Sequence, residues 1–483
     1  MTTILRRRRG TGIALSVGVA SVALVGTAVA TLVNPVIAVA GLLAIVGAIA
    51  IIENPALGTL TIAAFAILRL SDVATDNHGA PSTFTPLLAL VAIALAAQMI
   101  RTGERPSGGG RALVVVIALL TVALVSLLSA PDAGAGLTAV IRLAKDGAVA
   151  VVIGLLLRTT ATLRQVVWVL LAGGILLSSL SILQFLTGAY GSSFGGFAQS
   201  ELQHVVGRTD EIRISGPIGD PNFYAQWLIL LVPLAIDRFH DETALLLKWT
   251  AAAAAAMSTA VIVITFSRGA LLALVVVVGL MIIRHPPKAA TIGAVAVLSI
   301  LSLPFLPPGY VDRVTALTDL GGIDIGTDPS LRGREAEVVV ATEMFLDDPL
   351  TGIGYGNFLL SYPEYARGLG FDQVNKQREA HNLYLETAAE TGIPGVLVLG
   401  GVISTIFVSL TAGRRTFRSM GDHRADGIGY AVGVALIGYL VTSIFLHMAF
   451  ARPAWLLIGI ALALPSLART EDEARDRALA VTR

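Results

Sequence analysis

The chain has 483 residues, of which 55% are hydrophobic and 14% charged, and its 34 basic residues balance 33 acidic ones. A soluble domain carries roughly a quarter charged residues, so this composition indicates an integral membrane protein. The chain contains no cysteine, which excludes disulfides, thiol catalysis and zinc–thiolate sites.

Apolar runs along the chain predict membrane-spanning helices, each of which needs about 20 mostly apolar residues. The first run follows Arg6–Arg9 with no cleavage site before a soluble domain, so we interpret it as a span and not as a removed signal peptide. The sequence predicts an all-α polytopic membrane protein with about 12–14 spans. Candidates lie at 12–32, 36–52, 56–70, 84–100, 112–130, 137–157, 165–186, 222–237, 247–266, 269–284, 289–306, 393–412, 426–447 and 453–467.

Lysine and arginine are concentrated in alternate connections, and cytoplasmic loops are the ones that retain positive charge. The connections around 33–35, 71–83 and 131–136 have neither residue, so we expect them to lie outside and both termini to be cytoplasmic. The outer features are then the loop 187–221, the turn at Ser267–Gly269 and a large loop at 307–392.

These segments divide the chain into four predicted parts. The parts are N-terminal transmembrane helices with the outer loop 187–221 (1–306), a large helical extracytoplasmic loop (307–392), C-terminal transmembrane helices (393–467) and a cytoplasmic tail (468–483).

The chain lacks a Walker-type phosphate loop, which disfavours ATP-driven transport by this chain alone.

Three outer arginines are notable because the positive-inside pattern argues against them. Arg213 lies in the first outer loop, Arg268 at a helix junction and Arg334 in the large loop, beside Arg332. Arginine presents a planar fork of donors that matches phosphate oxygens. Together they suit a lipid-linked diphosphate, whereas each alone could also snorkel to headgroups or pair with an acid.

Two carboxylates have structural explanations at this stage. Asp220 precedes Pro221 at the start of a span, so it is predicted to cap that helix, with an acid–base role as the alternative. Asp146 lies four residues after Arg142, with Lys145 between them, so Asp146 is predicted to pair with Arg142. Charges within a span are functional candidates, and a structural pair or a headgroup contact is the alternative.

The large loop is predicted to contain helices at 333–347 and 373–391, joined by a turn at Pro349 and the glycines of 352–356. On the second helix, His381 would share a face with Tyr384, Leu385 and Ala388 and would point toward the membrane domain. Its neutral imidazole could accept a proton from a hydroxyl. A buried structural histidine is the alternative. Asn382, Glu386 and Glu390 would lie on another face, close to Arg378.

The outer motifs follow one another in a distinctive order: Arg213 with Gly219-Asp-Pro-Asn222, Thr265-Phe-Ser-Arg-Gly269, Arg334, Pro349-Leu-Thr-Gly-Ile-Gly-Tyr-Gly-Asn-Phe358, His381-Asn-Leu-Tyr-Leu-Glu386 and Glu390-Thr-Gly392. This order resembles the O-antigen ligase and polymerase family. The resemblance covers roughly residues 200–410 in motif detail.

The resemblance implies a GT-C-like glycosyltransferase of the bacterial cytoplasmic membrane. Such enzymes take a glycan from undecaprenyl diphosphate on the outer face and pass it to an acceptor hydroxyl, with no cofactor, no nucleotide sugar and, in the ligases, no metal. By resemblance, His381 would be the base, and Arg213 and Arg268 would bind the diphosphate. Arg334 would contact the donor or its glycan. The possible supporting residues are Asp220, Asn382 and Glu386.

Several activities remain open at this stage. Ligases pass the polymer to lipid A–core, polymerases extend it on the lipid carrier, and protein O-oligosaccharyltransferases modify serine or threonine, so the acceptor is a glycan, a glycolipid or a protein. A lipid-linked glycan flippase without catalysis is the alternative from another class, although polar residues along its central spans would be expected. A peptidoglycan-type polymerase is a weaker option because no catalytic aspartate motif stands out. Membrane lipids are expected partners, and nucleic acid is not.

Overall fold

The computed structural model of the protein describes residues 35–103, 108–203, 211–288, 329–371, 377–447 and 452–481. The structure is 80% helical, and the strands found among these residues form one antiparallel pair. The predicted all-α polytopic class is thereby confirmed. The predicted spans at 12–32 and 289–306 lie outside the described residues.

The helices run in chain order along the described segments. In the N-terminal part they are α1 (Pro35–Glu53), α2 (Pro55–Leu68), α3 (Leu70–His78), α4 (Phe84–Thr102), α5 (Gly110–Ser126), α6 (Ala133–Leu156) and α7 (Thr160–Thr187). The strands β1 (Gln199–Gln203) and β2 (Glu211–Gly216) follow, and then α8 (Pro221–Ile229), α9 (Leu231–Asp241), α10 (Leu245–Ile264) and α11 (Arg268–Arg284). The last group is α12 (Pro329–Asp347), α13 (Phe358–Gly368), α14 (Leu383–Ser419), α15 (His423–Thr442) and α16 (Arg452–Val481).

Seven of the described helices are long and apolar enough to cross a membrane, namely α4, α5, α7, α10, α14, α15 and α16. The pair α2 and α3, bent by 47°, makes an eighth if it forms one span. Four further predicted spans correspond to helices that fall short of this measure. In α1 only Ala44–Glu53 is counted, as a shorter apolar helix. The helix α6 carries Arg142, Lys145 and Asp146, α8 and α9 are separated at Leu230, and α11 has only 17 residues.

The core is formed around α15 and α16. In their most apolar stretches 78% and 83% of the residues are buried, against 28% in α5 and α10, so the latter two helices present more of their surface to lipid. The helix α16 packs against both α6 and α14. A Cβ atom at Gly459 would lie 2.7 Å from the Ala150 carbonyl oxygen, which shows how closely α16 approaches α6 through a small residue.

The two ends of α15 carry different chemistry. At its start, Asp426 is paired with Arg284 at 2.9 Å, Arg414 at 2.9 Å and Arg418 at 3.2 Å. We call these four residues the arginine cluster. At the other end the chain continues to His447. A 20-residue helix is about 30 Å long, close to the hydrocarbon thickness of a bilayer. The arginine cluster and His447 therefore lie at opposite ends of the helical bundle.

The predicted pairing of Asp146 with Arg142 is wrong. Asp146 instead accepts from Arg452 of α16, with 3.2 Å between its Oδ1 and the arginine Nε. Arg452 also contacts Asp72 of α3 at 2.7 Å, and Asp72 in turn pairs with Arg69 at 3.0 Å. The packing of α16 against α6 supplies a partner that sequence spacing could not show, and the resulting network ties α3, α6 and α16 together.

Of the two helices predicted in the large loop, the structure contains the first as predicted and begins the second at a later residue. The first is confirmed by α12. The second begins later than predicted, at Leu383, because the side chain of Asn382 accepts hydrogen bonds from the backbone N–H groups of Tyr384 and Leu385, both at 3.0 Å. His381 thus precedes the helix, with a left-handed φ of 44°. The helical face predicted for it is wrong, since Asn382 acts as an N-cap.

Candidate active site

His381 is held by contacts to its Nδ1 atom. This nitrogen lies 3.0 Å from the backbone carbonyl oxygen of Glu379 and 3.3 Å from Oε2 of Glu337, a residue of α12. In the neutral ring an Nδ1–H group donates to these acceptors, which leaves the lone pair on Nε2. The left-handed backbone at His381 is uncommon for a residue with a side chain, and such strain is concentrated at functional sites. The geometry therefore presents Nε2 as a proton acceptor.

The charge balance around His381 favours its protonated form. Burial lowers the pKa of the imidazole, but the hydrogen bond and negative charge of Glu337 outweigh burial, so the pKa lies above its usual value. Burial raises the pKa of the Glu379 carboxyl, and the nearby His381 partly opposes this effect. Arg378 contributes a further cation, 3.6 Å from Oε1 of Glu337. An imidazolium formed at His381 would be stabilised by the neighbouring carboxylates.

A second histidine, His447, lies beside the first. The two ring centroids are 6.0 Å apart with the rings nearly perpendicular, and Nε2 of His447 is 3.2 Å from Oε2 of Glu379. The edge of its ring also packs on Phe223 of α8 at 5.0 Å. Burial and the proximity of His381 lower the pKa of His447 to about 3, so its ring is neutral at ordinary pH. Sequence reasoning missed this residue because it was assigned to the predicted span 426–447.

A cavity of about 540 Å³ lies next to the two histidines. His447 and Glu379 line it, and His381 contacts both of them. The predicted site residues Asp220 and Glu386 also line it, whereas Asn382 is engaged as the N-cap of α14. The charged and titratable side chains on its wall are Arg142, Asp146, Asp220, Glu379, Glu386, Glu390, Tyr355 and His447.

The segment Gly352–Gly356, which we call the glycine loop, forms one wall of the cavity. Gly352, Gly354 and Gly356 all have positive φ, as the predicted turn requires. Backbone N–H groups of Ile353 and Gly354 donate to carbonyl oxygens of α14 at 2.9 and 3.1 Å. At the other side, Ser129 Oγ donates to the carbonyl oxygen of Gly352 at 2.6 Å. The glycine loop is therefore hydrogen-bonded to α14 and to the connection that follows α5.

Asp220 performs the predicted capping role. Its Oδ1 accepts from the backbone N–H groups of Asn222 at 2.7 Å and Phe223 at 3.0 Å, with Pro221 at the first position of α8. The carboxylate thereby fixes the start of the helix that carries Phe223, on which the ring of His447 rests.

Two of the predicted arginines are found near the start of α11: Arg268 belongs to this helix, and Arg213 contacts the turn before it. Arg213 of β2 is buried and donates from Nε to the carbonyl oxygen of Thr265 at 2.8 Å and from Nη2 to Oδ1 of Asn222 at 3.1 Å. Arg268, the first residue of α11, is exposed. Arg213 therefore ties the strand to the turn before Arg268 and to the capped end of α8.

Arg334 reaches the same region from α12. Its guanidinium lies 5.9 Å from the ring centroid of Phe445, and that ring also packs against Gly269, where a Cβ atom would lie 2.7 Å from it. Phe445 is two residues before His447. The three predicted arginines thus lie around Phe445 and the start of α11, and none of them is among the residues that line the cavity. The side chain of Arg332 lies outside the described part.

The small sheet before α8 was not predicted. β1 and β2 pair in antiparallel register, with Glu201 opposite Arg213. The sequence of β1, Gln-Ser-Glu-Leu-Gln, lacks the alternation of apolar and polar residues that identifies a half-buried strand. The sheet positions Arg213 through β2, which explains how an arginine from the loop 187–221 is buried.

Fold and site define a polytopic membrane protein with a histidine pair and a cavity lined by carboxylates at one end of its helices. Residues 253–400 match the family model described as O-antigen ligase. This segment is thus similar to the O-antigen ligase family, which confirms the resemblance to the O-antigen ligase and polymerase family. The match includes Arg268, Arg334, the glycine loop and His381. The curated proteins compared with the chain gave no match.

This match supports glycosyl transfer of the O-antigen ligase type in the biosynthesis of cell-envelope polysaccharide. It also implies an enzyme of the glycosyltransferase or ligase kind, with a lipid-linked glycan donor and a glycan acceptor.

Proposed function

We propose that the protein transfers a glycan from an undecaprenyl-diphosphate donor to an acceptor hydroxyl on the outer face of the bacterial cytoplasmic membrane. The observation that carries this proposal is the placement of His381, whose Nδ1 lies between the Glu337 carboxylate and the Glu379 carbonyl oxygen. That arrangement fixes one ring nitrogen as donor and leaves the other as base. The O-antigen ligase domain supports the class of reaction.

In the proposed reaction, Nε2 of His381 accepts the proton of the acceptor hydroxyl. The hydroxyl oxygen forms a bond to the anomeric carbon of the donor sugar, and the bond from that carbon to the diphosphate oxygen breaks. Undecaprenyl diphosphate leaves with the electron pair. Glu337 stabilises the imidazolium that forms, as the carboxylate of a histidine–carboxylate pair does.

The arginines are proposed to bind the donor diphosphate. Arg268 is exposed at the N-terminus of α11, where backbone N–H groups and the helix dipole also favour an anion. Arg213 contributes positive charge and holds the turn before α11 in place, and Arg334 approaches from α12. Fixed cations that face the leaving group stabilise its developing charge, so the proposed mechanism calls for no metal ion.

The proposed orientation has both termini in the cytoplasm and the histidines outside. The arginine cluster supports it, because positive residues collect at the end of α15 remote from His447. Arg238, which pairs with Asp237 and Glu242 at the end of α9, and Arg164 of α7, which also pairs with Glu242, are further basic residues in the loops assigned to the cytoplasm.

The proposal is tested by replacing His381 with alanine in the purified full-length protein reconstituted in lipid. Removal of a general base costs about 10²–10⁴-fold in rate, so glycan transfer should fall by that factor. The control is His423→Ala, an exposed histidine at the opposite end of α15, which should transfer normally. Unchanged transfer by His381→Ala would refute the base role. Movement of lipid-linked glycan across the bilayer with no transfer product would instead identify a flippase.

The acceptor is addressed separately by a deletion strain. Loss of polymer attachment indicates a ligase, short polymer chains indicate a polymerase, and unmodified protein indicates a protein O-oligosaccharyltransferase.

A further inference from the structure

A second concave surface lies on the outer loop, separate from the cavity beside His381. It has a volume of about 600 Å³ and runs between α12, α13 and the connection from α5 to α6. We call it the acidic groove. The glycine loop separates the two spaces, because Tyr355 and Gly356 line the cavity whereas Gly352 and Ile353 line the groove. The side chains that define the groove are Glu343, Asp347, Asp348, Ser361, Glu364 and Tyr365.

Ser361 indicates that the groove takes a ligand. The residue is only 7% exposed, and its buried Oγ atom has no hydrogen-bond partner within the part of the chain that the structure describes. A hydroxyl removed from water without a partner is unfavourable, and such groups are rare in native proteins. Since Ser361 lines the groove, a bound polar molecule would satisfy its hydroxyl.

The charge of the groove restricts the chemistry of that molecule. Glu343, Asp347, Asp348 and Glu364 contribute four carboxylates, and the described lining residues include no lysine or arginine. Phosphates and other anions are therefore disfavoured, and hydrogen-bond donors are favoured. The hydroxyl of Tyr365 is itself hydrogen-bonded to Asp347. Carboxylates, a serine hydroxyl and a tyrosine ring together suit the hydroxyl groups and the apolar face of a sugar.

We propose that the acidic groove binds sugar residues of the glycan substrate at a distance from the reacting hydroxyl. The inference rests on the proposed function, since it names a second contact for the same substrate. The helix α12 carries both Glu337, which contacts His381, and Glu343, which lines the groove. Six residues of helix span about 9 Å, so a glycan longer than one sugar reaches from the histidine to the groove.

Binding is tested on purified full-length protein with three probes: a glucosamine tetrasaccharide, its N-acetylated counterpart and, as the peptide competitor, tetralysine. Isothermal titration calorimetry should detect binding of at least one of the two sugars. Preference for the free amine would show that ammonium donors are recognised, and equal binding would show that hydroxyls suffice. Failure of both sugars to bind, or binding of tetralysine alone, would overturn the proposal in favour of a basic peptide site or no site.

The variants Ser361→Ala and Asp347→Asn should each weaken sugar binding about tenfold, the loss expected for one hydrogen bond to a charged or buried group. Asp347 is exposed, so its variant keeps the test valid if changes at Ser361 impair folding. The matched control is Glu335→Gln, an exposed carboxylate of α12 outside the groove, which should bind as the wild type does. Equal weakening by the control would contradict a local site.

Turnover distinguishes the source of the glycan. In Asp347→Asn the KM for the donor should rise if the groove holds the donor glycan, and the KM for the acceptor should rise if it holds the acceptor, with kcat unchanged in both cases. No change in either KM would refute the proposal. Because His381→Ala should still bind the tetrasaccharide, failure of the groove and failure of the base role are distinguishable.

Discussion

The carboxylate of Glu337 lies 3.3 Å from Nδ1 of His381, and the two residues come from different elements of the large loop. One is buried on α12 and the other precedes the capped start of α14. The contact sets the charge and the tautomer of the histidine together, because a single carboxylate both accepts the Nδ1 proton and raises the pKa of the ring.

The variant Glu337→Gln should shift the dependence of transfer on pH. His381 acts as a base only when it is deprotonated, so the rate rises as pH increases through its pKa. Removing the negative partner lowers that pKa, and the acidic limb of the rate profile should move to lower pH. The rate on the plateau should also fall, by about tenfold or more, because the imidazolium loses its partner.

The measurement is the rate of transfer across pH for Glu337→Gln and for the matched control Glu335→Gln, whose carboxylate is exposed on the same helix. The contribution of His381 to folding stability depends on pH in the opposite direction to its contribution to the rate. A raised folded pKa contributes stability at pH below the unfolded value of about 6.5, and this contribution is lost as pH rises through the folded pKa. A shift of the acidic limb to higher pH would contradict the role assigned to Glu337.

Lysine substitutions should distinguish the role of Arg213, which is buried, from that of Arg268, which is exposed. Arg268 is exposed, so Arg268→Lys should leave the melting temperature unchanged and raise the KM for the donor, because the bidentate contact with phosphate is lost. Arg213→Lys should also lower the melting temperature, since it removes bonds to Thr265 and Asn222. Donor KM and thermal unfolding in detergent provide the two measurements. Full activity in both lysine variants would show that positive charge alone suffices.

The break in α14 should be intolerant of substitution. Gly392 has φ 64° and ψ −161°, and a Cβ atom there would lie 2.6 Å from the Pro349 carbonyl oxygen. Gly392→Ala should therefore destabilise the protein by about 1–3 kcal/mol, the usual cost of such a backbone conformation. The control is Gly400→Ala on the same helix, where no atom lies within 4 Å of the added carbon. Equal melting temperatures for the two variants would contradict the assigned strain.

Replacing Arg452, which contacts both Asp72 and Asp146, should destabilise the protein. Arg452→Met leaves Asp72 and Asp146 without their common partner. Because these groups are only partly buried and Asp72 keeps Arg69, the loss should be about 1–3 kcal/mol, the usual cost of leaving a buried polar group unpaired. Adding Asp146→Asn should restore part of the loss. Thermal unfolding of the single and double variants measures both effects. A double variant less stable than Arg452→Met would show that Asp146 is stabilised by other groups.

Features governed by local sequence were predicted correctly. Apolar runs identified the membrane helices, Asp220 before proline identified a cap, and the glycines of 352–356 identified a tight turn with left-handed backbone. Each of these follows from a few adjacent residues. The arrangement of the three arginines around Phe445 and the start of α11 could not be read from local sequence, and their place on the outer face stays a prediction.

The remaining features depend on contacts between distant segments. The helical pattern at 373–391 placed His381 on a helix face, but the N-cap formed by Asn382 starts the helix after it. Asp146 has a candidate partner four residues away and yet pairs with Arg452, because α16 packs on α6. The pairing of Glu337 with His381 requires the tertiary fold of the large loop, and local periodicity contains no information about it.

The glycine loop is hydrogen-bonded on both sides, to α14 through Ile353 and Gly354 and to Ser129, in the connection after α5, through Gly352. Such a wall holds its shape before any substrate arrives, so the sugar must adapt to the wall. Selectivity at this side of the cavity should then depend on the size of the sugar ring and its substituents, because a bulkier sugar would clash with a wall that does not move.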